Sequence, residues 1–451
     1  MANFDLTGLA LSMVCPTNKL ITDDRGLPGV YVERAAQPLS ALLAGGDSSI
    51  HPAFLINGIQ HDKIAIGKFQ AKTHSNRAYS LPGEDPTAYI TFDASVQACK
   101  NKGDGHHLIT AAEWAFLALL AKKNGTMPKG NNNYGKDASE TLKIAIPTMK
   151  DNNGATCRVA TGTGPATWSD TGDISGIYDL NGNVWEWVSG MRLVKGELQV
   201  IPYNNAADPE CDTSAASTQW RAINAAATNY NDLFIAPNGQ GATAGSVKLD
   251  FITDHWQWAV TITSQSDSSR YAVFSATTAA GLSAFTQLYL RAMALLPEAG
   301  ATDADYNGDG FWANNGADER LPLRGGYWAD VSRAGVFALN FDDPRGISNS
   351  NVGCRAASPP QPDIQSLRAL FQRRGIKGSA PLPKGTIQNW EQAGASFARR
   401  LLLGRPVRGW RVRARLACPA RALQCGCWLP RRSTLKARYA KPTGCASVQR
   451  G

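Results

Sequence analysis

The sequence lacks any uninterrupted run of the roughly 18 to 20 apolar residues that a helix needs to cross a bilayer. Its N-terminus, MANFDLTGLALSMVCPTNKL, has no basic cluster ahead of the apolar stretch, so we expect neither a membrane span nor a signal peptide. Hydrophobic residues make up 43% and charged residues 18% of the 451 positions. This composition is typical of a soluble globular protein with a sizeable core.

Residue patterns that support common enzyme chemistries are also scarce. Of the six histidines only His106 and His107 are adjacent, and neighbouring side chains on a strand point to opposite faces. No GxSxG nucleophile elbow is present, and the glycines of GTGPATW (162–168) are not followed by the Lys-Ser/Thr pair of a phosphate-binding loop. The five cysteines before residue 359 are too scattered to suggest a disulfide framework.

The formal net charge of +9 is unevenly distributed. Residues 359–451 contain 19 Lys and Arg against two acidic residues, a net of +17, whereas residues 1–358 contain 27 against 35, a net of −8. The body of the protein is therefore acidic. The Arg/Pro/Cys-rich tail has three interpretations: a nucleic-acid-binding arm, a metal clip at Cys425 and Cys427, or translated sequence that was never selected as protein.

Local patterns predict a few regular elements. Asn57-Gly58 lies between short apolar stretches and predicts a two-residue hairpin turn. ITFDASVQACKNKG predicts a helix that Asp93 caps, and LITAAEWAFLALLAKKNG predicts a helix with Thr110 as N-cap, Glu113 in a capping box and Gly125 as its stop. From about residue 131 onward the chain is rich in turns and shows no long helical periodicity, so we expect buried tryptophans to hold the loops.

Three motifs then follow in order: YDLNGNVWEWVSG (178–190), LRGGYW (323–328) and VGCRAA (352–357). Together they resemble the formylglycine-generating-enzyme branch of the C-type lectin fold. The resemblance implies an α+β, loop-rich fold with short strands and two main helices. It covers residues 27–358, which leaves 1–26 as an N-terminal segment and 359–451 as the basic tail.

Within this frame, residues 324–355 resemble the variable region of proteins diversified by retroelements, in which the adenines of a template are copied with errors. Frame residues of that pattern are present, for example Arg324-Gly325-Gly326 and the run AGVFALN (334–340). Between them lie residues whose codons are reachable from AAC or AGC by changing adenines alone. The resemblance implies that nine of these form the ligand-binding surface: Tyr327, Ala329, Asp330, Arg333, Phe341, Asp342, Asp343, Gly346 and Ile347.

Relatives of this fold also suggest a calcium site, with side-chain ligands Asp179 and Glu186 and main-chain oxygens of Gly182 and Val184. Glu186 has an alternative role as a buried hydrogen-bonding residue between Trp185 and Trp187. A second acidic loop, DADYNGDG (303–310), has calcium-loop spacing but carries Asn314 at its twelfth position, which favours a turn-rich loop.

The resemblance implies a binding protein that is not an enzyme, needs no cofactor with the possible exception of calcium, and recognises a host-surface or other macromolecular ligand. We expect homo-oligomers to supply avidity and a location on a phage tail fibre, with the bacterial cell surface as the alternative. The rival interpretation is a cofactor-dependent oxidoreductase of the formylglycine-generating type. Copper there is held by paired cysteines, and Cys354 is alone between the RGG and GxR motifs.

Overall fold

A computed structural model describes residues 3–142 and 145–358. The predicted tail 359–451 lies outside the described residues. The helices are short and lie far apart in the sequence: α1 Asn3–Val14, α2 Leu39–Leu42, α3 Phe92–Lys100, α4 Ala111–Asn124, α5 Tyr230–Leu233 and α6 Ala284–Ala292. None of the described helices is long and apolar enough to cross a membrane.

The strands are also short, with two to eight residues each. Those of the first half are β1 Asn18–Thr22, β2 Pro28–Ala35, β3 Leu55–Ile56, β4 Ile59–Gln60, β5 Lys63–Gly67, β6 Ala71–His74, β7 Arg77–Ser80, β8 His107–Leu108, β9 Trp185–Trp187, β10 Met191–Val194 and β11 Glu197–Val200. Those of the second half are β12 Arg221–Ile223, β13 Phe234–Ile235, β14 Lys248–Ile252, β15 His255–Ala259, β16 Arg270–Val273, β17 Thr278–Ala279, β18 Gly310–Ala313, β19 Leu323–Gly325, β20 Gly335–Phe341, β21 Val352–Cys354 and β22 Ala356–Ser358. Loops join most of them, and the predicted loop-rich α+β class is confirmed.

Three larger sheets organise these strands. The first has the order β1-β2-β5-β22-β8, the second has β13-β12-β11-β14-β15-β17 with β10 also paired to β11, and the third has β16-β18-β20-β19-β9-β21. Strand β1, within the predicted N-terminal segment 1–26, pairs along its whole length with β2. The third sheet brings the NVWEW, RGG and GxR motifs together, because β9, β19 and β21 are neighbours in it.

Helix α4 confirms the strongest local prediction. The Thr110 hydroxyl accepts from Glu113 N at 3.1 Å, the Glu113 carboxylate accepts from Thr110 N at 3.0 Å, and Gly125 ends the helix with a φ of 66°. The helix is buried in the main core, where the Trp114 indole donates to Val336 O of β20 at 2.8 Å. Helix α4 therefore packs against the third sheet at strand β20.

Of the other local predictions, the hairpin is confirmed and the helix around residue 95 is present with a different N-cap. The Asn57-Gly58 turn joins β3 to β4, and both residues have the positive φ that such a turn requires, so the hairpin is confirmed. Helix α3 is present, but its N-cap is Thr91, whose hydroxyl accepts from Ala94 N, and the prediction of Asp93 as cap was wrong. Helix α6, with nine residues and Ser283 as its N-cap, is a further helix beyond the two main helices that the resemblance implied.

Candidate ligand-binding surface

The window 324–355 forms three strands of the third sheet and the two loops between them. Loop A (326–334) joins β19 to β20, and loop B (342–351) joins β20 to β21. Strand β20 pairs with both β18 and β19, whereas β21 runs parallel to β9 at the sheet's edge. The frame residues therefore lie in paired strands, and most of the predicted variable residues lie in the loops.

Loop B is held through its main chain by residues outside the window. Its carbonyl oxygens accept hydrogen bonds from donors on four separate segments. The pairs are Leu321 N to Asp343 O at 3.1 Å, Phe92 N to Arg345 O at 3.3 Å, Tyr89 N to Asn349 O at 2.9 Å, Arg158 Nη1 to Ser350 O at 3.0 Å and Trp185 N to Asn351 O at 2.8 Å. Since every acceptor is a backbone atom, these contacts do not depend on which side chains loop B carries.

Loop A is fixed in a similar way. Tyr134 N donates to Trp328 O at 2.9 Å, and Val331 N donates to Asn132 O at 2.8 Å. Two side chains also take part: the Asp330 carboxylate accepts from Tyr327 N at 2.9 Å and closes a turn, and Arg333 Nε donates to Asp330 O at 3.3 Å. Asp330 is buried, and burial raises its pKa to about 7. The expectation that Asp330 lies exposed was therefore wrong: it supports loop A from inside.

Phe341 contradicts the predicted surface more sharply. Its side chain is 0% exposed and belongs to the main hydrophobic core, with its ring centroid 6.4 Å from that of Phe311. Phe337, Leu339 and Phe341 alternate along β20, and alternate residues of a strand share a face. This period of two was visible in the sequence and would have placed Phe341 in the core.

We call the other seven predicted residues the variable surface. Arg333 and Gly346 are exposed, and the remaining five are partly exposed: Tyr327, Ala329, Asp342, Asp343 and Ile347. Tyr327 of loop A and Ile347 of loop B pack against the same hydrophobic cluster, which contains Trp185 and Val352. Both loops therefore contribute a side chain to one hydrophobic cluster, although 20 positions separate these residues in sequence.

Aromatic residues from outside the window border the variable surface. The Arg333 guanidinium lies 5.6 Å from the ring centre of Tyr271 and 5.8 Å from that of Trp312, and these two rings are 5.0 Å apart. Tyr271 is 37% exposed. An arginine over aromatic faces is stabilised by cation–π attraction. From the sequence we expected the tryptophans only to be buried and to hold loops together, and the position of Trp312 beside Arg333 depends on the β18–β20 pairing.

The two acidic residues of the variable surface, Asp342 and Asp343, have raised pKa values. Burial and the nearby charge of Asp343 raise the pKa of Asp342 to about 6, and the Ser269 hydroxyl donates to Asp342. Burial likewise raises the pKa of Asp343. The charge of this part of the surface therefore changes at mildly acidic pH.

The four predicted calcium ligands, of which Glu186 lies in β9, surround the side-chain amide of Gln70. Gln70 Nε2 donates to Val184 O and to Glu186 Oε1 at 3.0 Å each, to Asp179 O at 3.2 Å and to Gly182 O at 3.3 Å. Three of these atoms are the predicted ligand atoms. Asp179 contributes its main-chain oxygen, and its carboxylate instead accepts from Gly162 N at 2.9 Å. The predicted ligand residues do converge on one point, but the atom at that point is Gln70 Nε2.

These residues do not fit a calcium ion as they stand. Calcium binds oxygen at about 2.3 to 2.6 Å, whereas N–H···O contacts span about 2.7 to 3.2 Å, close to the range observed here. Glu186 is also committed to Arg355, whose Nη2 and Nε atoms lie 2.7 and 2.8 Å from its two carboxylate oxygens. Both side chains are 0% exposed. The alternative role of Glu186, a buried hydrogen-bonding residue, is the one that the structure supports.

The carboxylates of the second acidic loop, residues 303–310, do not converge on one point either. Asp305 accepts from Thr302 N at 2.7 Å, whereas Asp309 is buried and accepts from Phe337 N at 2.7 Å. Among the described residues, no group of three or more His, Cys, Asp or Glu could hold a metal ion.

One thiol pair was missed by sequence reasoning. Cys99 of α3 and Cys354 of β21 are hydrogen-bonded neighbours in the cluster that contains Trp185. This contact and burial raise the pKa of Cys99 well above its ordinary value, which favours the thiol over the thiolate that binds metal. The two cysteines are 255 positions apart in sequence, so no local motif indicates that their side chains are neighbours.

The described residues thus form a loop-rich α+β fold in which the window 324–355 contributes three strands and two loops. Residues 53–226 match the family model described as the sulfatase-modifying factor enzyme 1-like domain, FGE-sulfatase, which agrees with the predicted branch of the fold. The match ends before the window 324–355. No curated protein matches the chain.

Solved structures that match the chain do so at low sequence identity. Treponema denticola variable protein 1 is 13% identical, with 76% of this chain and 100% of that chain covered and a TM-score of 0.29. The U1 and P3c variants of Major Tropism Determinant are each 10% identical, with 76% of this chain and 71% of theirs covered and a TM-score of 0.26. The chain is similar to these proteins over about three quarters of its length.

Proposed function

We propose that this chain is a ligand-binding protein whose variable surface, diversified by a retroelement, recognises a host-surface or other macromolecular ligand. The observation that carries the proposal is the anchoring of loop B. Five of its carbonyl oxygens accept from donors outside the window, so its side chains can change while its path is retained. Exposed substitutions change the free energy of unfolding by less than about 0.5 kcal/mol in most proteins.

The composition of the variable surface suits recognition. Tyr327 is a rigid, partly exposed aromatic side chain, and Arg333 offers both charge and a flat guanidinium group. Aromatic residues and arginine dominate the binding energy of protein interfaces. The neighbouring Tyr271 lies outside the window, so it would give every variant the same contact beside the changing ones.

The variable surface is small for a complete interface. Standard interfaces use about 20 to 30 residues a side, whereas the variable surface has seven. A single copy would therefore bind weakly, and several copies acting together can raise the apparent affinity by about a hundredfold or more. This favours a homo-oligomer on a repetitive carrier, for which we propose a phage tail fibre and, as the alternative, the bacterial cell surface.

The test uses fluorescently labelled full-length protein and a panel of whole bacterial cells. We expect the parent protein to bind a subset of strains and the triple variant Tyr327→Ala, Arg333→Ala, Ile347→Ala to lose that binding while it still unfolds cooperatively, with its melting temperature lowered by a few degrees because Tyr327 and Ile347 are partly buried. A matched variant that alters three exposed residues away from the window, Arg25→Ala, Ile59→Ala and Ile174→Ala, should bind as the parent does. Equal loss in both variants, or binding that survives the first, would contradict the proposal.

A further inference from the structure

We infer that the Gln70 side-chain amide takes the place of a cation in the oxygen cup beneath the variable region, so that this centre is held together without metal. The cup consists of the main-chain oxygens of Asp179, Gly182 and Val184 and one carboxylate oxygen of Glu186. All four lie 3.0 to 3.3 Å from Gln70 Nε2. The assignment holds whatever ligand the variable surface binds.

The backbone explains why these oxygens converge. Asp179, Gly182 and Asn183 all have positive φ values, between 63° and 76°, which curl residues 179–184 into a tight loop. Such a loop turns successive carbonyl groups toward one point. A concentration of acceptors with no donor is unfavourable in a buried site, because each unsatisfied polar group costs about 1 to 3 kcal/mol. The cup therefore requires a positive or donating partner.

The orientation of the Gln70 amide is fixed by its other end. Gln70 Oε1 accepts from Asn183 Nδ2 at 2.9 Å, and Asn183 Oδ1 in turn accepts from Val159 N at 2.9 Å. A flipped amide would direct an oxygen into the cup and a nitrogen toward the Asn183 donor. The hydrogen-bond network thus leaves Nε2 as the atom that faces the four oxygens.

The carboxylate charge of Glu186 in the cup is already compensated. Arg355 pairs with both carboxylate oxygens of Glu186, and its Nη2 atom also donates to Asp179 O at 3.3 Å. A calcium ion in the cup would have to displace the amide and lie close to this buried guanidinium. Like charges repel strongly in a medium of low dielectric constant. The neutral amide shares its two N–H groups among the four oxygens without that repulsion.

The consequence concerns the variable surface. The Glu186–Arg355 pair joins β9 to the residue that follows β21, where the window ends. If the amide replaces a cation, the scaffold beneath the loops keeps its geometry at any calcium concentration. Binding of a host ligand would then be independent of calcium unless the ligand itself needs the ion.

The test measures thermal unfolding of the full-length protein in excess calcium and in EDTA. We expect no difference for the parent. Gln70→Ala removes the donor and opens the cup, so it should unfold at a lower temperature in EDTA and regain several degrees in calcium. Gln70→Asp, which adds a short anionic ligand and leaves room for an ion, should respond more strongly and keeps the test open if Gln70→Ala fails to fold.

Gln199→Ala is the matched control. Gln199 is equally buried, but its amide donates to a single carboxylate oxygen, Glu197 Oε1 at 2.8 Å, and no cup surrounds it. This variant should lose stability without gaining a response to calcium. A parent protein that calcium stabilises would overturn the inference, as would Gln70 variants that respond no more than Gln199→Ala.

Discussion

Phe341→Ala distinguishes a core residue from a surface residue within the variable window. Phe341 is 0% exposed and shares a face of β20 with Phe337 and Leu339, over the core that contains Phe311. Truncation of a buried phenylalanine to alanine typically costs about 3 to 5 kcal/mol, because the transfer energy is lost and a cavity remains. We expect a loss in this range, a large share of the roughly 5 to 15 kcal/mol that stabilises a typical domain.

The assay is equilibrium urea unfolding followed by tryptophan fluorescence, with Phe337→Ala and Tyr327→Ala measured beside it. Phe337→Ala should lose about as much as Phe341→Ala, since Phe337 is 1% exposed. Tyr327 is only partly buried, with its ring 5.2 Å from that of Trp328, so its truncation should cost about 1 to 2 kcal/mol. A loss below about 0.5 kcal/mol for Phe341→Ala would show that its side chain is exposed and that the β20 register is wrong.

Three further predictions address charge. Burial raises the pKa of Asp330 from 3.8 to about 7, so the folded state binds this proton more tightly than the unfolded state, and the stability that Asp330 contributes falls as pH rises between those values. Asp330→Asn should remove that dependence, and a parent-minus-variant difference that stays flat with pH would contradict it. Arg355→Ala should cost about 3 to 5 kcal/mol because it strands buried Glu186, whereas Lys63→Ala, at a partly exposed ion pair, should cost under about 1 kcal/mol. For the basic tail, filter binding of nucleic acid over a salt series tests the nucleic-acid interpretation: a salt slope for the full chain that residues 1–358 lack would support it, and equal affinity for both would remove it.

Predictions of local structure were confirmed where a few residues that are close together in sequence determine the backbone conformation. The capping box of α4 and the Asn57-Gly58 turn need only residues within a few positions of each other, and both are present. Helix α3 was also found, although the cap moved two residues, from Asp93 to Thr91. Helix boundaries shift easily because Ser, Thr and Asp side chains all accept hydrogen bonds from the first turn.

The candidate site was only partly accessible from sequence, for two different reasons. Phe341 was misplaced because codon reasoning outweighed the alternation of Phe337, Leu339 and Phe341, which is a visible pattern. Gln70 was missed because its partners lie more than 100 residues away and an isolated glutamine carries no signal. Long-range contacts of this kind depend on how the sheets pair, and spacing along the chain does not reveal them.

We propose that error-prone copying of a template has changed residues in loops A and B, whereas the frame residues around them have stayed constant. Sequencing of the genomic region around the gene tests it most directly. We predict a reverse transcriptase gene nearby and a near-copy of codons 324–355 that carries adenines at the codons of the divergent residues, such as Tyr327, Arg333 and Ile347, and matches the frame codons. The absence of such a copy, or a copy that differs from the gene equally at frame codons such as those of Phe337 and Leu339, would contradict the claim.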